Sequence, residues 1–243
     1  KANTATIFDL KTLKVIASVQ TGENPDAIVY EPTTKRIFTM NGRSNDATAI
    51  DAAAGTVLGR IDLGGKPEFA VADGSGKLFV NLEDKSEVVV LDAKELKVTA
   101  RWPLAPGEEP SGLAIDVKNR RLFSVCGNKM MVVLDADSGK VLATPTIGED
   151  ADAAAFDPLT DLAFSSNGDG TLTIVHEESP STFTVVQNVT TLRGARTMAL
   201  DLKTHNVFLP TAKFEPVPEG AKDAPRPRPN MVPGSFRIIV VGK

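Results

Sequence analysis

The sequence predicts an all-β protein built as a β-propeller of four-stranded blades, and three landmarks carry that prediction. An Asp that closes an apolar run and precedes a short turn and a Val recurs at Asp9, Asp51, Asp92 and Asp135, at intervals of 42, 41 and 43 residues, with His176 in the same place 41 residues further on. A Phe that follows an aliphatic residue keeps the same phase at Phe38, Phe79, Phe123, Phe164 and Phe208. The third landmark is Pro25, Pro67 and Pro110, replaced in later units by Ala151 and Ala195. Units of roughly 40–45 residues with several short apolar runs are what a propeller blade requires, because one such sheet cannot bury its faces alone.

The elements follow in order. The runs "TATIF" and "KVIASV" supply two strands, the end of a blade over residues 1–22. The first complete unit then reads "DAIVYE", "RIFTM", "ATAID" and "TVLGRID", separated by "TTK", "NGRSND" and "AAAG". Short β-branched runs punctuated by Gly, Asn, Asp and Pro are strand and hairpin signals, and no sustained helical period competes with them. Third strands such as "EVVVLD" and "MMVVLD" are nearly all apolar, as expected for strands covered on both faces by neighbouring blades. Complete blades are expected over 23–64, 65–105, 106–148 and 149–190. A closing blade over 191–243 contributes "TMAL", "NVFL" and "FRIIVV" and carries a proline-rich insertion at 215–233, all within one domain, 1–243. The resulting 21 strands are not a multiple of four, and sheets avoid bare edges, so the chain is expected to be a fragment lacking its N-terminal blades, with about five and a half present.

Composition narrows the function. A net charge of -4 argues against general nucleic-acid binding, which needs a positive surface. No run approaches the ~20 apolar residues that cross a bilayer, so no membrane insertion is expected. With Cys126 alone there is no internal disulfide; it ends a strand and reads as a buried small hydrophobe. Charge is uneven, with a balance of -9 over residues 1–192 and +5 over 193–243.

The stretch "GENPDAIVYEPTTKRIFTMNGRSNDATAIDAAAGTV" resembles the YVTN-repeat β-propellers (YncE-like proteins). Their unit runs Pro-x-x-hydrophobic, an Asp/Pro turn, "R-[IL]-[FY]-V-[ST]-N", then "V-x-V-[IL]-D-x-x-[TS]-x-K-V". The likeness extends over essentially the whole chain, and it departs from the pattern where the landmark prolines disappear and at the insertion. It implies seven blades in a full protein, about one and a half of them absent here, and a periplasmic or secreted location. A repeat of this kind specifies fold far better than activity.

Nine carboxylates at repeat-equivalent strand ends read as turn formers: Asp9, Glu31, Asp51, Asp73, Asp92, Asp116, Asp135, Asp157 and Asp201. The loops that lead into each first strand read differently. If the first strand is innermost, they ring the mouth of the central channel. The position after the landmark is Asp26, Glu68, Ser111, Asp152 and Arg196, with Glu23, Asn24, Glu108, Glu109, Asp150 and Arg193 nearby. Converging carboxylates opposed by two arginines suit a cation, a polar small molecule or a charged peptide. The competing reading is a set of ordinary solvated loops.

From Phe208 to Gly234 is 26 residues where Phe164 to Gly170 is 6, an insertion of 20. Six prolines between Pro216 and Pro233 make it an extended, polyproline-like loop that emerges on the mouth face, with Arg226 and Arg228 able to reach acidic partners. Other signals read structurally: "SNGDGTL" (Asn167, Asp169) as a hairpin turn before a calcium loop, His176 and His205 as turn residues opposite the mouth, and Trp102 as packing between blades.

No nucleophile motif, phosphate loop or metal-ligand motif is present in the sequence. The leading expectation is therefore a non-enzymatic, exported propeller without a cofactor, monomeric at full length, that binds a small polar molecule or a protein partner at its mouth. One alternative is a metal-assisted lactone hydrolase, in which Glu23, Asn24, Glu68 and Asp152 hold a divalent cation that activates water. Another is an interaction scaffold using the proline-rich loop.

Overall fold

The computed structural model describes residues 2–216 and 230–242. Twenty-one strands lie among them, in six antiparallel sheets, and no α-helix interrupts the sequence of strands. A hairpin comes first, β1 (Thr4–Phe8) with β2 (Val15–Gln20). The first complete blade is β3 (Pro25–Glu31), β4 (Arg36–Asn41), β5 (Asp46–Asp51) and β6 (Val57–Asp62). The second is β7 (Pro67–Ala72), β8 (Lys77–Leu82), β9 (Glu87–Asp92) and β10 (Lys97–Pro103). The third is β11 (Pro110–Asp116), β12 (Arg121–Cys126), β13 (Met130–Asp135) and β14 (Val141–Ala143). The fourth is β15 (Ala151–Asp157), β16 (Leu162–Asn167), β17 (Thr171–Ser179) and β18 (Thr182–Thr190). A fifth blade of three strands closes the chain: β19 (Ala199–Asp201), β20 (Asn206–Thr211) and β21 (Arg237–Val241).

Each complete blade pairs its strands in chain order, so it is a meander. First strands of successive blades pack on one another, β3 on β7, β7 on β11 and β11 on β15, which makes them the inner wall of a propeller. The wall is tight at Gly112 in β11, where an added Cβ would stand 2.5 Å from the backbone nitrogen of Ala154 in β15. Any side chain there would push two inner strands apart.

The core sits between blades rather than within them. Phe38, Met40 and Ala49 of the first blade pack with Leu78, Val80, Val89 and Leu91 of the second, and the pattern recurs at the next three junctions. Third strands β5, β9 and β13 have all four central residues buried, which is why the centres of β9 and β13 are uniformly apolar and that of β5 departs only at Thr48. At the two ends of the array this cover stops: Phe8, Val15 and Ile16 in the first hairpin, and Ile238 and Val240 in β21, are exposed.

All nine predicted turn carboxylates accept backbone N–H bonds two or more residues on. Asp51 Oδ1 takes the amides of Ala53 (2.9 Å) and Ala54 (2.7 Å), and Glu31 takes those of Thr33 and Thr34. Asp9, Asp73, Asp92, Asp116, Asp135, Asp157 and Asp201 do the same in their own turns. At Asp51 and Asp92 these amide bonds, from Ala54 and Glu95 first, hold the carboxyl below its usual range. His176 departs from the expected turn position: it lies inside β17, because β17 has nine residues where the third strands β5, β9 and β13 have six, and with β18 it carries the turn beyond His176.

A further regularity was hidden in the repeat. At the end of the second strand Asn41 donates from Nδ2 to Asp46 Oδ1 (2.6 Å) and Thr48 Oγ1 (3.0 Å), and Asn167 donates to Thr171 Oγ1 (3.0 Å) and Thr173 Oγ1 (3.1 Å). Thr39 and Ser165 donate back to the same two amide oxygens. These are clamps between second and third strands, with both asparagines fully buried. Asn167→Ala removes both donors and strands the hydroxyls behind them, so equilibrium denaturation should show a loss of about 1–3 kcal/mol.

Candidate functional site

The loops of the expected mouth are built to one plan. In the four complete blades the N–H at the start of the loop is held by a side chain from the loop between second and third strands of the same blade. The pairs are Glu23 with Ser44 Oγ (2.9 Å), Lys66 with Asp84 Oδ1 (2.7 Å), Glu108 with Asn128 Oδ1 (3.1 Å) and Glu149 with Asp169 Oδ2 (2.9 Å). Asp169 also accepts from Thr171, so the "NGDG" turn uses its carboxylate to tie loops together. Just before the first strand, Asn24, Glu109, Asp150 and Gly194 have positive φ (55°, 50°, 54° and 79°), which turns the chain sharply into the inner wall. The landmark residues Pro67, Pro110, Ala151 and Ala195 are buried in that turn, and the residue after each is partly or fully exposed.

That position gathers part of the predicted set. Asp152 forms an ion pair with Arg196 at 3.8 Å. Burial pushes the Asp152 carboxyl up, Arg196 opposes this, and Asp26, three blades away along the chain, adds to the rise. Asp26, Asp152 and Arg196 therefore share one electrostatic environment across the inner wall. Ser111, in the equivalent position between them, donates from Oγ to the Ala151 carbonyl (2.8 Å) and so links β11 to β15.

The remaining residues are placed differently. Glu68 is half-buried and held by Lys66 at 2.5 Å, and Lys66 also bridges to Glu83, so Glu68 already has a cationic partner within its own blade, shared with a second acid. Glu23, Asn24 and Glu109 are exposed; the Asn24 amide meets Asn3 Oδ1 (3.0 Å) and the Glu109 amide meets Ser86 Oγ (3.2 Å). Arg193 stands apart from Asp152 and lines a separate cavity beside the fifth blade. Among the described residues no group of three or more His, Cys, Asp or Glu is disposed to hold a metal ion. The carboxylates of the lactone-hydrolase reading do not fit one: Glu68 is taken by Lys66, and Asp152 by Arg196. Cys126 is fully buried, and burial pushes its thiol up to about 12, so it is a core residue. Trp102 stacks on Phe79 with ring centroids 5.8 Å apart. The central part of the insertion, with Arg226 and Arg228, lies outside the described residues.

A site missed from the sequence lies on the opposite face. Three first-strand carboxylates there are met by the turn of the next blade: Glu31 Oε1 by the Gly76 amide (3.2 Å), Asp73 by Arg120 Nη1 (3.0 Å) and Asp157 by His205 Nδ1 (2.6 Å). At the junction of the third and fourth blades the corresponding turn residue is Asp161, an acid, and it and Asp116 both act on Glu177. Beside them Glu177, buried and bonded through its amide to the Asp161 carbonyl (2.8 Å), has no partner for either carboxylate oxygen. Comparing the five turns by position (Lys35, Gly76, Arg120, Asp161, His205) would have exposed this exception.

Radially stacked, meandering four-stranded sheets with their first strands innermost define the β-propeller class. Among known proteins, the chain's homologues are YncE proteins, and its architecture is consistent with a YncE-like propeller. It is 23% identical over 234 residues to the uncharacterised protein YncE of Salmonella typhi, covering 82% of this chain and 66% of that protein. It is 24% identical over 155 residues to YncE of Escherichia coli O157:H7, covering 59% of this chain and 44% of that protein. The match thus spans less than two thirds of the length of either relative. Two solved structures share the fold: hydrazine synthase of Kuenenia stuttgartiensis (TM-score 0.71, 15% identity, 85% of this chain and 67% of that one) and a protein of unknown function from Desulfotomaculum acetoxidans (TM-score 0.74, 11% identity, 86% and 72%). No protein-family model matches.

Proposed function

We propose that the chain is a non-enzymatic binding propeller that takes a small polar ligand bearing a cationic group, or the equivalent side chain of a protein partner, at its channel mouth. One observation carries this reading. Burial pushes up the Asp152 carboxyl against Arg196, its one ion-pair partner among the described residues, and the charge of Asp26 adds to the rise. Two carboxylates with a single opposing charge leave a negative deficit, which a ligand ammonium or guanidinium fills with charge-assisted hydrogen bonds. The rigid loop plan supports it, since a preordered mouth loses little entropy on binding. The likeness to exported propellers extends the proposal to a periplasmic or secreted setting.

The test is a thermal-shift screen of small amines, basic amino acids and neutral polyols against the protein and an Asp26→Asn, Asp152→Asn, Arg196→Gln variant. The expected result is stabilisation by cationic compounds that the variant loses while its own unliganded melting temperature stays within about 2 °C, because these side chains are exposed or half-exposed. A variant that unfolds would make the three residues structural. A response to polyols equal to that to amines would remove the charge argument.

A further inference from the structure

Arg193 belongs to a second feature. A cavity of about 560 Å³ opens beside the fifth blade, lined by Leu192, Arg193 and Gly194 from the loop after β18, Thr211 to Phe214 at the end of β20, and Arg237 at the start of β21. Its volume falls within the range of small-molecule sites, roughly 300–1,000 Å³. Three cations, Arg193, Lys213 and Arg237, line it. Neither these nor any other lining residue is engaged in an ion pair among the described residues. Leu192 and Phe214 give it an exposed apolar wall.

The walls are held in place. The Thr211 hydroxyl, on a buried residue, lies 3.4 Å from the Arg193 carbonyl and joins the two sides. The stem of the insertion continues the β20–β21 ladder past its end: Val232 donates to the Lys213 carbonyl (2.9 Å), Glu215 to the Asn230 carbonyl (2.9 Å), and Phe214 bridges Met231. Ser235, itself buried, accepts the Lys213 amide at 3.0 Å and donates to the Val232 carbonyl at 2.6 Å. Lys213 and Phe214 are therefore carried on a braced hairpin stem. Nearby, the Glu215 carboxylate accepts from Asn230 Nδ2 (3.3 Å) and makes no ion pair with the cavity cations among the described residues.

We propose that this cavity is a second binding site, for a small organic anion: a carboxylate or phosphate against Arg193, Lys213 and Arg237, with its apolar part against Leu192 and Phe214. Arginine offers a planar fork that matches both anionic groups, and the half-covered apolar wall selects an anion with a hydrophobic body over an inorganic one. The site is independent of the cationic ligand proposed for the mouth, because it carries the opposite charge and shares no residue with Asp26, Asp152 and Arg196.

The experiment is titration of the full chain with benzoate and with phenyl phosphate, followed by amide chemical shifts and calorimetry, with acetate and benzyl alcohol as the two half-probes. The expected result is saturable binding of both aromatic anions with shifts centred on Gly194 and Thr211, at least about tenfold tighter than either half-probe, the scale of a charge-assisted hydrogen bond. Lys213→Gln with Arg237→Gln should weaken the aromatic anions by about tenfold or more at unchanged melting temperature, and Phe214→Ala should weaken benzoate but not acetate. Binding of benzyl alcohol as tight as benzoate, affinity unaltered in the double variant, or no saturation by either anion would each overturn the proposal. A preference for acidic peptides over both anions would replace it with a protein-docking role.

Discussion

Phe123→Ala should be the most damaging single substitution in the core, lowering stability by about 3–5 kcal/mol and the melting temperature by about 10 °C or more. Phe123 is fully buried in β12 and stacks on Phe156 of β15, with ring centroids 5.1 Å apart and an interplanar angle of 11°. It also meets Phe183 of β18 edge-on at 6.0 Å and 76°. The residue thus joins the third blade to both the inner and the outer strand of the fourth. Truncation leaves a ring-sized void between two sheets whose backbones are fixed by their own ladders and cannot close over it. Two aromatic pairs, each about 0.5–1.5 kcal/mol beyond burial, go with it. Phe123→Leu, which keeps most of the volume, should cost about 1–2 kcal/mol. Urea denaturation of the two variants side by side checks the argument; equal losses would mean that volume is not what Phe123 supplies.

The second large effect depends on pH. Glu177 has two buried oxygens without partners, and burial, followed by the charge of Asp116 and opposed by Arg121, pushes its carboxyl up to about 7. Asp161 adds to the rise. Arg121 does not neutralise it, since that guanidinium is engaged with Asp135 Oδ2 (2.9 Å) and the Pro180 carbonyl (2.9 Å). A carboxyl whose folded value lies above its unfolded one binds a proton more tightly when folded. Stability should therefore fall as pH rises from about 4.5 to about 7 and level off above, by an amount on the order of 3 kcal/mol. Glu177→Gln abolishes the titration, so its gain over the parent should be near zero at about pH 4.5 and full at about pH 8. Melting temperatures of both proteins across that interval decide it. A gain independent of pH would show that Glu177 is disfavoured by its packing and not by its charge. Glu177→Leu, which cannot hydrogen bond, should show the same pH trend.

These two residues mark how far the sequence could be read. Phe123 was legible as a repeat landmark, because a position that must fill the gap between blades recurs with the blade. The turn carboxylates were legible for the same reason: Asp51 or Asp92 needs only residues two and three positions on to satisfy it. The strand count and the order of strands in each blade followed from that local periodicity. His176 was misplaced because the extension of β17 is set by its partner β18 and by the blade it overlaps, not by the local run of residues.

The candidate site was only partly legible. That the residues after Pro25, Pro67, Pro110, Ala151 and Ala195 belong to one ring of positions follows from the repeat alone. Which of them meet depended on distances across the ring, and these joined Asp152 to Arg196 and Asp26 while giving Glu68 to Lys66.

The sequence by itself determined the class of fold, the phase of its blades and the carboxylates that hold its turns, because each depends on neighbours within one repeating unit. Only the tertiary structure decided that Arg193 lines a cavity with Lys213 and Arg237, and that Asp116 and Asp161 act on Glu177 at one junction where Arg121 opposes them only in part. The reason is physical. Electrostatic partnership and enclosure are set by through-space separation between blades, and residues about 20 to 60 positions apart in the chain become neighbours only when the sheets are stacked.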